Sequence, residues 1–154
     1  MNRLRFPYKY LRRKNFRVMV KSDAAVLLDE DLFVPALTAF VYTSKDPYAV
    51  RMRVRIEGTR LPEWVFSRDV LITGSAEPTG VGEVRVRPVT WRDRSPVTAL
   101  DTVLITVGAP GEQATVAVPA TAVRDFLERT QEGVALGSEG HLLRLDGVIA
   151  RFMR

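Results

Sequence analysis

The chain has 154 residues, enough for one domain with a sizeable core, because a domain of this length buries roughly 68–70% of its unfolded surface. It contains no cysteine and a single histidine, His141, which excludes a disulfide framework, a thiolate nucleophile and any cysteine-based metal centre. The net charge of +5 is uneven: residues 1–21 hold eight basic side chains and no acid, so residues 22–154 together carry −3.

Residues 1–16 read as an arm in which Arg3, Arg5, Lys9, Arg12, Arg13 and Lys14 alternate with Phe6, Tyr8, Tyr10 and Phe16. Cations of this kind attract nucleic acid, an anionic membrane surface or an acidic protein segment, and the aromatic rings can stack or insert. The plain alternative is a mobile arm with no dedicated role. The basic start is not followed by an apolar signal-peptide core, and no stretch approaches the roughly eighteen consecutive apolar residues of a membrane span. The expected compartment is the cytoplasm.

Residues 17–154 read as one domain. Phe16 to Val20 and Leu37 to Tyr42 read as strands, with Asp29-Glu30-Asp31 as a solvated turn because adjacent acids lack the spacing of a calcium loop. Ser44-Lys45-Asp46-Pro47 supplies the turn into Val50 to Ile56, where every second residue is apolar and the others are arginine. That alternation predicts a half-buried strand in a hairpin with its predecessor. Glu63 to Phe66 reads as a short strand, Trp64 and Phe66 sharing a core face. Ser67 then caps one helical turn over Arg68 to Ile72, and Gly74 ends it.

Thr79-Gly80-Val81-Gly82 reads as a structural turn and not a phosphate loop, since it lacks the Lys-Ser/Thr ending and a strand follows it. Glu83 to Val89, Thr102 to Val107 and Gln113 to Val118 continue the strands. Pro119 suits a first helical position, and Val123, Phe126, Leu127 and Thr130 keep helical spacing, which predicts a helix over 119–132. Arg124 with Glu128 and Asp125 with Arg129 stand four apart on its outer side. Asp146 caps a last short helix bearing Val148, Ile149 and Phe152. Sheets followed by helices make an α+β domain.

No arrangement here has catalytic form. His141 has no second ligand at useful spacing, and Ser67, Ser75 and Ser95 lack a nucleophile-elbow context. The informative constellation is Arg51, Arg53 and Arg55 on one strand with Arg85 and Arg87 on another. Each set is either a solvated polar face or a cationic surface for an acidic partner or nucleic-acid phosphates. Only adjacency of the two strands makes them one patch. Trp91 belongs either to the core or to an interface.

Four segments in fixed order complete the reading: Asp46-Pro47-Tyr48-Ala49-Val50, Trp64-Val65-Phe66-Ser67-Arg68-Asp69-Val70-Leu71, Pro78-Thr79-Gly80-Val81-Gly82-Glu83-Val84-Arg85-Val86 and Phe126-Leu127-Glu128-Arg129-Thr130. Their order and spacing over residues 17–153 resemble the SsgA-like family of actinomycete sporulation and cell-division regulators. The resemblance implies two packed antiparallel β-sheets with C-terminal helices, similar to the plant Whirly single-stranded-DNA-binding proteins, assembled as a homotrimer. It implies no enzyme activity, cofactor or metal. The implied role is to position or promote septum assembly at the cell septum, through the tubulin-like division protein FtsZ or other family members. Two rivals stand beside it, a single-stranded nucleic-acid binder and a peripheral membrane module recruited by the arm.

Overall fold

Apolar alternation puts one side of each long strand in the core. In Arg17–Asp29 (β1) the buried residues are Val18, Val20 and Val26; in Leu32–Thr43 (β2) they include Ala36, Thr38, Phe40 and Tyr42; in Ala49–Ile56 (β3) they are Val50, Met52 and Val54. The computed structural model describes residues 15–29, 32–90 and 101–140. Most of the arm, Glu30 and Asp31, Trp91, Ser95, His141 and the helix expected after Asp146 lie outside the described residues.

β1 and β2 are much longer than the sequence pattern indicates, pairing antiparallel from Arg17↔Thr43 to Asp29↔Leu32. Ser22, Asp23, Ala24 and Pro35 interrupt the apolar rhythm there, so cross-strand pairing carries what side-chain pattern does not. The β2–β3 hairpin forms as expected, with Leu37↔Arg55 and Val41↔Arg51 in register. A turn with φ of 47° at Glu57 and 79° at Gly58 reverses the chain into Thr59–Arg60 (β4), since two positive φ values match the twist of a tight hairpin. Trp64–Ser67 (β5) returns to pair with β3. Phe66 is buried, whereas Trp64 is half-buried against the core.

Ser67 caps helix α1, Arg68–Ala76, accepting a hydrogen bond from the Asp69 N–H at 3.1 Å. The helix continues past Gly74, contrary to the sequence reading. That glycine is a packing site: a Cβ there would lie 2.3 Å from Val86 Cβ. Thr79–Val81 (β6), Val84–Thr90 (β7), Asp101–Val107 (β8) and Ala114–Pro119 (β9) follow, then helix α2 over Ala120–Gly133. Pro119 is therefore still strand, paired with Thr102, and the helix begins one residue later.

Hydrogen bonds link the described strands in the order β4-β3-β2-β1-β9-β8-β7-β6, with β5 on β3. This is one continuous sheet where two were expected. The reason is the length of β1, which serves both halves but meets β9 only at Ala25↔Ala117, Val26↔Val116 and Leu27↔Thr115. Both helices cover the core face, α1 against β6 and β7 and α2 against β1, β8 and β9. One helix thus sits in mid-chain, which corrects the expected order of sheets first and helices last. The Phe40 and Phe126 rings stack at 5.3 Å and so join β2 to α2.

Three of the four ordered segments meet around Arg68, which is 1% exposed. Its guanidinium donates to Val134 O at 2.7 Å and Thr130 Oγ1 at 3.4 Å, pairs with the Glu139 carboxylate, and lies 4.9 Å from the Tyr42 ring centroid. Its backbone N–H donates to Tyr48 O, and the Tyr42 hydroxyl donates to Pro47 O. Burial, only partly offset by the Arg68 charge, pushes the Tyr42 hydroxyl up to about 12. Burial alone would raise Glu139, but the Arg68 hydrogen bond and charge outweigh it, with backbone N–H groups adding to them, and hold the carboxyl below its usual range. This node ties the β2–β3 turn, α1 and the segment after α2 into one unit.

Candidate partner-binding surface

The sheet face away from the helices carries the arginines. Strand register arranges it in rows: Asp23, Leu37, Arg55 and Arg60; then Lys21, Ala39 and Arg53; then Met19, Val41, Arg51 and Val65. Ala39 is the small residue in the middle row, flanked along β2 by Leu37 and Val41, and a depression of about 390 Å³ opens there. Met19, Lys21, Leu37, Arg55, Arg60 and Leu61 are among its walls.

The three arginines of β3 are not equivalent. Glu63 accepts from Arg53 Nε at 2.6 Å and from Arg51 Nη1 at 2.9 Å, and Asp46 stands 4.0 Å from Arg51. Hydrogen bonds from Arg53 and then Arg51 hold the Glu63 carboxyl below its usual range. Lys21, Arg55 and Arg60 have no ion pair among the described residues. Of the arginines that the sequence singles out on β3, Arg55 alone is therefore uncompensated among the described residues, and Arg60 on β4 and Lys21 on β1 extend its charge.

Arg85 and Arg87 occupy the same face of β7, beside a second depression of about 550 Å³ that Gly80, Leu104 and Thr106 help to line. The register sets Arg85 between Gly80 and Thr106, and Gly80 leaves room for the Arg85 stem, whose Cγ lies 3.2 Å from where a Cβ would stand. β2, β1, β9 and β8 separate β3 from β7. At 4.7–4.9 Å per strand that is about 24 Å along the sheet. The two arginine sets are thus separate patches. Trp91 and the arm residues Arg3, Arg5, Lys9, Arg12, Arg13 and Lys14 lie outside the described residues.

A family model described as Streptomyces sporulation and cell division protein, SsgA, matches residues 36–139. The sporulation-specific cell division protein SsgB of Streptomyces coelicolor is 31% identical over 139 residues, covering 90% of this chain and 97% of its own. The chain belongs to the SsgA family. SsgB of Saccharopolyspora erythraea is likewise 31% identical, with 91% and 96% of the two chains covered. The SsgA-like protein of Thermobifida fusca has a solved structure that superposes with a TM-score of 0.79 at 26% identity, over 90% of this chain and 97% of that one. A solved structure of SsgB, a protein in which mutations correlate to longitudinal cell division during sporulation of Streptomyces coelicolor, superposes with a TM-score of 0.72 at 32% identity, covering 84% of this chain and 97% of that one.

The family match begins at Ala36, so it includes β3, β4 and the Arg68 node but not Lys21. Sequence reasoning missed Lys21, Leu37, Arg60 and Glu63 as members of the arginine face. A signal for Arg60 existed, because a Glu57-Gly58 turn places it opposite Arg55. Glu63 left none: its reach to β3 depends on the path of residues 61–63.

Proposed function

We propose that this SsgA-family protein is a non-enzymatic scaffold of sporulation-specific cell division, which positions or promotes septum assembly through protein–protein contacts. The observation that carries this reading is the division of labour in the domain. The Arg68 node uses residues from three of the four ordered segments as internal ties, while the outer sheet face offers uncompensated cations beside exposed Met19 and Leu37. A surface of that kind suits recognition. The partners in this proposal are the tubulin-like division protein FtsZ or other SsgA-like members, met in the cytoplasm at the septum by a homotrimer of Whirly-like subunits.

Co-purification from sporulating cells, with the full chain and with residues 1–16 removed, tests it. Recovery of division proteins by both forms supports the scaffold; recovery of none by the full chain overturns it. The nucleic-acid reading draws on the arm and on Arg85 and Arg87. It requires single-stranded DNA affinity whose salt slope falls by roughly 0.7 for each phosphate contact removed. The roughly 24 Å between the arginine patches favours the protein partner, because it breaks the continuous cationic track that a strand of phosphates needs.

A further inference from the structure

We infer that the depression at Ala39 is a docking groove for a short acidic segment of a partner protein, one that presents an apolar side chain between its carboxylates. This rests on the scaffold reading and names the surface and chemistry by which it works. Lys21 on β1 and Arg55 on β3 flank β2 on either side of the depression, and Arg60 extends the cationic wall. Glu63 and Arg53 also line the depression, but the Glu63 carboxylate is held by Arg51 and Arg53, so the cations left for an incoming carboxylate are Lys21, Arg55 and Arg60. Asp23 stands beyond Leu37, outside the walls of the depression.

Between these cations the surface is mainly apolar, with Thr38 the uncharged polar residue in the lining. Leu37 is 56% exposed and Met19 38%, and Leu61 closes the side toward β4. Covering them removes apolar area from water, which charge alone does not accomplish. A groove of about 390 Å³ falls at the small end of binding pockets, room for one or two side chains.

Geometry fixes the spacing of the ligand. Lys21 and Arg55 are two strands apart and offset by two residues, roughly 12 Å between Cα atoms at ordinary sheet spacings. An extended segment rises about 3.3 Å per residue and turns alternate side chains to opposite faces, so carboxylates four residues apart, with an apolar side chain midway between them on the same face, reach both cations and lay that side chain over Ala39. Nucleic acid fits less well. None of the described residues lining the groove is aromatic, and binding of unpaired bases depends on stacking platforms.

The test uses the full chain and a blocked peptide repeating Glu-Ser-Leu-Ser, read by fluorescence anisotropy and by amide chemical shifts. The expected result is saturable binding with shifts centred on Lys21, Leu37, Ala39, Arg55 and Arg60. Arg55→Glu with Arg60→Glu should weaken it at least about tenfold, as loss of close opposite charges does at interfaces. Ala39→Leu fills the depression with every charge retained and should weaken it comparably, while Arg85→Glu with Arg87→Glu leaves it unchanged. Circular dichroism melts establish that each variant folds.

Equal binding of a Glu-Ser-Ser-Ser repeat, or of oligothymidylate at the same residues, overturns the proposal in favour of an unspecific anion patch or a nucleic-acid site. Shifts centred elsewhere, or no loss in Ala39→Leu, overturn it as well. In cells the two readings separate. An Ala39→Leu protein that still retrieves division proteins removes the groove and leaves the scaffold, whereas an unaltered chain that retrieves none removes the scaffold.

Discussion

Arg68→Ala would leave the Glu139 carboxylate and the Val134 carbonyl without their charged partner in a buried setting. Breaking one side of a buried pair costs about 3–5 kcal/mol, and urea denaturation should find a loss in that range. Replacing both partners, Arg68→Met with Glu139→Leu, should cost far less, because no charge is then stranded. The node also sets a pH signature at each end of the scale. The folded Glu139 pKa lies below the unfolded value near 4.5, so its contribution is present above that value and is lost as pH falls through the folded pKa. The folded Tyr42 pKa is raised from 10.0 to about 12, so its contribution holds below pH 10 and is lost as pH rises toward 12. Alkaline titration followed by tyrosinate absorbance should show one late-ionising tyrosine in the native protein, absent after denaturation. None of this was legible locally. Arg68 stands 71 residues from Glu139 in sequence, and a charged residue at the start of a capped helix reads as exposed.

α1 and its contact with β7 offer a test of what glycine does inside a helix. Ala in place of Gly normally gains up to about 1 kcal/mol of helix propensity. At Gly74 the added methyl would overlap Val86 at 2.3 Å, and overpacking of this kind costs about 1–3 kcal/mol. Packing should win, so Gly74→Ala is expected to lower stability in chemical denaturation; a stabilised variant would mean that β7 can move away. The same contact explains why the sequence reading ended α1 too early, since a glycine within a helix and one just past its end look alike without the partner strand. β3 was legible throughout because arginine and apolar residues alternate without interruption. The distal half of the β1–β2 hairpin, Lys21 to Asp29 with Leu32 to Ala36, was not, because Ser22, Asp23, Ala24 and Pro35 break the alternation before it resumes. At the candidate surface, alternation placed Arg51, Arg53 and Arg55 on one face, but which of them is neutralised depended on Glu63, a residue from an irregular segment.

For the whole molecule, the proposed trimer predicts a single mass of about three chains in light scattering across a concentration series, with dissociation only at high dilution. A mass of one chain throughout would remove the oligomer from the proposal and leave the family assignment intact. Edge protection gives a physical reason to expect assembly, because β6 and the β4–β5 side end the sheet at its two margins and exposed edges invite pairing. The narrow join between β1 and β9 has a further consequence, one of timing. During synthesis β1, β2 and β3 are made early and pair with near neighbours, whereas Ala117 emerges about ninety residues after Ala25, its partner. At roughly 5–20 residues per second the β1 edge waits several seconds for β9. For that interval the nascent chain carries an unsatisfied strand beside a half-built core, and the ribosome-bound intermediate, not the finished domain, is the form most exposed to mispairing with another copy of itself.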